Sequence, residues 1–228
     1  MARMTWDGTG ERYFHTGVSE VALFMQTGNS STNDGYVDGV AWSGVTGVTQ
    51  SPDGADAQNF YADNIKYLSI RAKENWKGTI KCYQYPNVFK AALGKKELVT
   101  GSGVWAGQQA RKSFGLVWKT KLGNDSQGED AYYIIHVAYG LTAGPSEEED
   151  NTTNETPEIN EFSFDLESTP ASDSTGGVNA VEPTSYVEFS SKDVNASKLT
   201  ALDSLIYGSA TNAHPTMPTL AQIRTAIA

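Results

Sequence analysis

RKSFGLVWKTKLGNDSQGEDAYYIIHVAYG, residues 111–140, alternates apolar and small or polar positions on both sides of a turn. In its first half Phe114, Leu116 and Trp118 share one face, while Ser113, Gly115, Val117, Lys119 and Lys121 share the other. In its second half Tyr133, Ile135, Val137 and Tyr139 oppose Ile134, His136, Ala138 and Gly140. Side chains of an extended strand point to opposite faces in turn, so a period of two reads as β-strand. GNDSQGE between the halves is rich in turn-forming residues, and the stretch predicts a hairpin with one core face and one wetter face.

The same period recurs on both sides. GVSEVALFMQ (17–26), a segment at about 36–49, a segment at about 64–73 and GTIKCYQY (78–85) read as strands before the hairpin, and INEFSFDLESTP and TSYVEFSS read as strands after it. PNVFKAALG, with Pro86 at its start and Gly94 at its stop, predicts a short helix between strands. NASKLTALDSLIYG predicts a later helix, with Asn195 as N-cap, Leu199, Leu202, Leu205 and Ile206 on one stripe and Gly208 as its end. PTLAQIRTAI predicts a last, shorter one. The expected fold is mainly β (α+β), a sandwich or barrel-like body with a C-terminal helix. The expected organisation is an N-terminal arm over 1–16, one domain over 17–208 and a C-terminal segment over 209–228.

Two connections are long. VTQSPDGADAQNFYADN, residues 48–64, exceeds the two to five residues of an ordinary hairpin loop, and it carries Phe60 and Tyr61, which a disordered tether does not need. It is expected to touch a partner. GPSEEEDNTTNETPE, residues 144–158, is acidic and poor in apolar side chains, and is expected to be solvent-exposed.

The 228 residues, 39% hydrophobic and 11% aromatic, suit a single domain with a sizeable core. Cys82 is the single cysteine, so no intrachain disulfide can form. The first residues show no apolar signal region, and the longest apolar run, YYIIHVAYGL, falls short of the roughly 20 residues of a membrane helix. Synthesis and retention in a cytoplasm, with no membrane, are expected. Charge is unevenly placed: from Lys66 to Lys121 there are twelve Lys/Arg against two acids, a net of +10, and from Leu122 to Ser191 fifteen acids and no Lys or Arg. Segregation of this kind predicts oppositely charged surfaces suited to head-to-tail contact between copies.

Chemistry-bearing motifs are missing. His15, His136 and His214 stand far apart, in no metal-ligand or triad spacing. No nucleotide-binding glycine pattern or GxSxG occurs, and NDSQGED (124–130) lacks the full register of a calcium loop, so it reads as a hairpin turn. No catalytic residue, metal or cofactor is expected, and the chain does not read as an enzyme. Trp42, Trp76, Trp105 and Trp118 leave open an alternative, a carbohydrate-binding or adhesive β-sandwich.

GVAWSGVTGVTQSPDGADAQNFYADNIKYLSI, QQARKSFGLVWKTKLGND, the VAYG of the later strand and the LIYG ending the helix occur in one order. Together they resemble the major tail protein, or tail tube protein, of long-tailed non-contractile bacteriophages (siphophages), over about 17–208. The resemblance implies a structural virion protein of the viral tail. Hexameric rings would stack into a tube that houses the tape measure protein, meets tail terminator and distal tail proteins at its ends, and passes viral DNA during ejection without gripping it. It further implies four strands per copy in the lumen wall, for which the strands at about 36–49, 64–73, 111–123 and 130–140 are candidates. About 24 strands at ~4.8 Å spacing give a backbone diameter near ~37 Å, room for a duplex ~20 Å wide. Lumen-facing candidates are Ser43, Ser113, Gly115, Lys119, His136 and Ala138. Inter-ring stacking candidates are Pro52, Asp53, Asp56, Phe60, Tyr61 and Asp63.

Overall fold

The computed structural model describes residues 4, 6–27, 35–36, 38–54, 56–149, 152, 159–170, 181–210 and 213–227. The expected acidic connection, 144–158, lies partly outside them. The chain is mainly β, with antiparallel sheets and, among the described residues, two α-helices. In order the strands are β1 (Tyr13–Met25), β2 (Val40–Ala41), β3 (Val45–Gln50), β4 (Asp53–Gly54), β5 (Ala57–Ala62), β6 (Ile65–Arg71), β7 (Glu74–Asn75) and β8 (Lys77–Cys82). A 3-10 helix (Asn87–Ala91) separates these from β9 (Lys96–Glu97), β10 (Trp105–Ala106), β11 (Phe114–Asn124), β12 (Gly128–Ala143), β13 (Phe162–Ser168) and β14 (Tyr186–Ser190). Helices α1 (Ala196–Tyr207) and α2 (Leu220–Ile227) follow.

The main sheet runs β2-β1-β11-β12-β13-β8-β3, with β14 beside β12. β2 and β3 stand at opposite ends of this order and are joined by the bend at residues 42–44, which draws the two edges of the sheet toward each other in a barrel-like body. Inside lie Trp118, Leu116, Phe114, Ile80, Phe164 and Trp42, with Phe89 of the 3-10 helix as a plug. Phe89 has no exposed surface and meets Trp42 at a ring separation of 4.5 Å and Phe164 at 5.2 Å. Truncating a side chain enclosed in this way costs about 3–5 kcal/mol.

Helices cover one outer face. Val117, Ile135, Val137 and Tyr139 pack beneath Leu199, Leu202 and Ile206 of α1 and Ile223 of α2. Helix α1 starts as its sequence dictates, with Asn195 Oδ1 accepting from Ser197 N at 3.0 Å. β12 serves two neighbours: residues 134–138 pair with β14 and residues 141–143 with β13. Gly140, at φ +60 between the two, lies where a Cβ would meet the Thr169 carbonyl at 2.5 Å. Glycine thus permits the strand to change partners.

Several boundaries differ from expectation. β1 begins at Tyr13, within the expected N-terminal arm, and shifts register between Thr16 and Ser19 and between Ser19 and Ala22. Gly17 and Glu20 have positive φ there, so backbone irregularity hides the alternation. The expected strand at 36–49 is broken, with Trp42 turned into the core and its Nε1 donating to the Gln84 carbonyl at 2.8 Å. The strand expected at 64–73 is outside the main sheet and pairs with β5 alone.

Candidate assembly surfaces

The described residues of 48–64 form one arm of a hairpin rather than a loop. β3 pairs with β8, β4 with β7 and β5 with β6. Partner numbers sum to the same value from Gly47↔Lys81 through Asp53↔Asn75 to Phe60↔Leu68, so a single register runs from the barrel outward. Asp63 and Asn64, at φ 50 and 61, form the two-residue tip, the conformation of a type I′ turn. About 12 residues beyond the barrel at ~3.3 Å each give the projecting hairpin a contour length near ~40 Å. Asp53 anchors its base, with Oδ2 2.9 Å from Lys77 Nζ. Hydrogen bonding to Lys77, then to the Gly54 amide, holds the Asp53 carboxyl below its ordinary range.

The described residues of β5 and β6 are all exposed. Phe60 faces its cross-strand partner Leu68, and Ile70 continues that face; Ile65 and Tyr67 occupy the other face of β6. Tyr61 is 71% exposed, Tyr67 75%, Ile65 64% and Ile70 51%. A two-stranded ribbon is marginal alone in water, and its edges offer unpaired backbone groups. Exposed apolar side chains thus lie on both faces of this ribbon.

The stacking candidates Pro52, Asp53, Asp56, Phe60, Tyr61 and Asp63 therefore share this one projection, all exposed. Most of the lumen candidates are placed otherwise. Ser43 is exposed at the β2–β3 bend and Ser113 is half-buried, but Gly115, Lys119, His136 and Ala138 are buried. Gly115 and Lys119 lie on the face beneath the helices, Gly115 close under Met217, whereas His136 and Ala138 lie beside Trp118 and Leu116 on the inner face. Nor do the four expected wall strands form a contiguous set, since β6 is off the main sheet and β13 and β8 separate β12 from β3.

Lys119 shows how a charged residue can face a core. Its Nζ lies 2.7 Å from Glu20 Oε2 and 2.8 Å from Asp203 Oδ1, and 5.0 and 4.5 Å from the ring centres of Tyr133 and Tyr207. Burial lowers its pKa, but the hydrogen bonds and charges of Asp203 and Glu20 outweigh that and hold it above the ordinary value. His136 sits within 2.6 Å of the Tyr186 hydroxyl and 2.8 Å of Thr120 Oγ1, stacked on Trp118 at 5.0 Å. Burial pushes its pKa down to about 4 against the pull of Glu188, so it is a neutral packing group near pH 7. In the 124–130 turn, Asn124 Oδ1 accepts from Gln127 N at 2.6 Å and Asp125 Oδ1 from Gly10 N at 2.8 Å. These oxygens close the turn and clasp the N-terminal segment.

Among the described residues the two charge blocks of the sequence lie partly against each other. β8 lies against β13 and β11 against β12, which brings basic and acidic segments together. Lys77 Nζ is 3.4 Å from Glu167, Lys81 is 3.8 Å from Glu161, Lys95 is 3.0 Å from Glu148 and Lys121 is 2.7 Å from Asp130, while Lys73 also pairs with Glu182. Antiparallel pairing thus neutralises within one subunit much of what the sequence segregates.

No family model matches the chain, and a search of the curated proteins finds no relative. Among the described residues no helix is long and apolar enough to cross a membrane.

Proposed function

We propose that the chain is a self-assembling structural protein, the tail tube subunit of a long-tailed non-contractile phage. In this reading it is a virion component whose hexameric rings stack into a tube around the tape measure protein. Tail terminator and distal tail proteins join the ends, and viral DNA later passes through without specific binding. The observation that carries the reading is the projecting hairpin, an apolar ribbon in continuous register with the barrel and exposed on both faces. Such an element gains from association what it lacks alone, through burial of its side chains and pairing of its edges. The sequence resemblance supplies the kind of assembly.

The face formed by β11 and β12 is packed on both sides, so a lumen wall would draw on other strands, the projecting hairpin among them. Two strands per copy in a ring of six would close a wall only ~18 Å across, narrower than a ~20 Å duplex. The hairpin therefore stacks one ring on the next, or shares the wall with further strands. The carbohydrate reading gains nothing from Trp42, Trp76 and Trp118, which are core residues. Sedimentation velocity across a wide concentration range tests the proposal. Mass-action growth into large discrete species supports it, and a monomer at all concentrations whose tryptophan emission shifts with added glycans contradicts it.

A further inference from the structure

Beside the β9–β10 pair lies a cleft of about 460 Å³ lined by Lys95, Lys96, Arg111 and Lys112, with Trp105 in its wall. Lys90 adds a further cation, its Nζ 4.9 Å from the Trp105 ring centre. Glu97 is the one acid of the lining, and its two oxygens accept from Gly103 N at 2.7 Å and Gly101 N at 3.0 Å. It is thereby turned toward the hairpin tip. Arg111 Nη1 donates to the carbonyls of Ala143 and Gly144 at 2.6 and 2.9 Å, so its guanidinium is engaged with the backbone of a neighbouring cleft. Among the described residues no carboxylate forms an ion pair with Lys90, Lys96 or Lys112. Lys95 is paired with Glu148, like much of the basic block, and the charge the cleft keeps is that of Lys90, Lys96 and Lys112.

The complementary group is on the same chain. Glu148 reaches Lys95 at 3.0 Å, showing that a carboxylate on an extended segment suits the rim. Its neighbours Glu147 and Glu149 instead line a separate cleft with Ile159 and Glu161, and Asn160 Nδ2 fixes the Glu149 carbonyl at 2.7 Å. One face of the segment is thus satisfied within the subunit and the other is presented outward, with both carboxylates exposed.

We propose that the basic cleft of one copy receives Glu147 and Glu149 of a second copy. The inference rests on the self-assembly reading and assigns to it a second contact, separate from the projecting hairpin. A free polyanion such as duplex DNA is the less favoured occupant, because it meets Glu148 at the Lys95 side of the cleft and the net charge of −10 without compensation. A second copy carries the same net charge, but once held by the hairpin it presents its carboxylates at high effective concentration.

A charge exchange tests this. One variant carries Lys96→Glu and Lys112→Glu, and the other Glu147→Lys and Glu149→Lys; all four positions are exposed, and circular dichroism and melting check that each variant folds. Each alone repels itself at the contact and should need a protein concentration about tenfold or more above wild type to assemble, whereas an equimolar mixture, in which alternating copies again meet with opposite sign, should recover. Normal assembly of either variant alone, or a mixture as defective as its parts, overturns the contact and leaves the self-assembly reading standing. Loss of affinity for a short DNA duplex in the Lys96→Glu/Lys112→Glu variant, with assembly unchanged, overturns it in favour of a nucleic-acid seat. Wild-type protein that stays monomeric at every concentration overturns both.

Discussion

Replacing Tyr61 and Tyr67 together by serine should uncouple assembly from folding. These tyrosines are 71% and 75% exposed, so most of each side chain is available for burial against a neighbour. Complete burial of a large apolar side chain contributes about 1.5–3 kcal/mol, and three quarters of that for each ring gives about 3 kcal/mol for the pair. A loss of that size raises the concentration needed for assembly about a hundredfold. The monomer should be indifferent, since exposed positions away from caps and strained backbone change stability by no more than ~0.5 kcal/mol. Phe60 and Leu68 are poorer choices because they are cross-strand partners, and their loss would also loosen the hairpin. The assay is pelleting or light scattering over a dilution series, with thermal melting of the monomer alongside. An unchanged assembly concentration with an unchanged melting temperature would refute the assignment of the hairpin as the contact.

Further predictions follow from the same geometry. Replacing residues 52–75 by a short Gly/Ser turn keeps the β3–β8 pairing and the core, so the product should fold and fail to assemble, read by circular dichroism and sedimentation. His136 has a folded-state pKa of about 4 against an ordinary 6.5, so the folded state favours its neutral form. Its contribution is intact above about pH 6.5 and is lost as pH falls toward 4, a change of about 3 kcal/mol by linkage; in His136→Gln the urea-derived stability should fall less over that window. Duplex DNA should bind assembled protein more weakly than monomer, because assembly fills the basic cleft; anisotropy of a labelled duplex at about 50 mM salt measures this, and tight, salt-sensitive binding to the assembled form would contradict it.

Period-two alternation made the long strands of residues 111–143 legible, and the Asn195 cap and leucine stripe did the same for α1. The same alternation misled about surroundings. Val117, Ile135, Val137 and Tyr139 form a second apolar face, the mark of a strand pair covered on both sides, yet Lys119 and Gly115 made it look wet. A lysine answered by Glu20 and Asp203 is compatible with burial, and those partners are distant in sequence. The hairpin tip was hidden because Asp63-Asn64 resembles any loop; its signal was two turn residues flanked by NFYA and IKYL. Charge blocks along the chain could not reveal ion pairing, because antiparallel strands fold them face to face.

The central claim is that copies join through the projecting hairpin into a tube with a passage. End-on electron micrographs of purified, concentrated protein test it most directly. The account predicts sixfold rings around an open bore at least ~20 Å wide, wide enough for a duplex, stacked in side views into tubes of constant width. Particles without a bore, or a uniform field of isolated monomers, would contradict it.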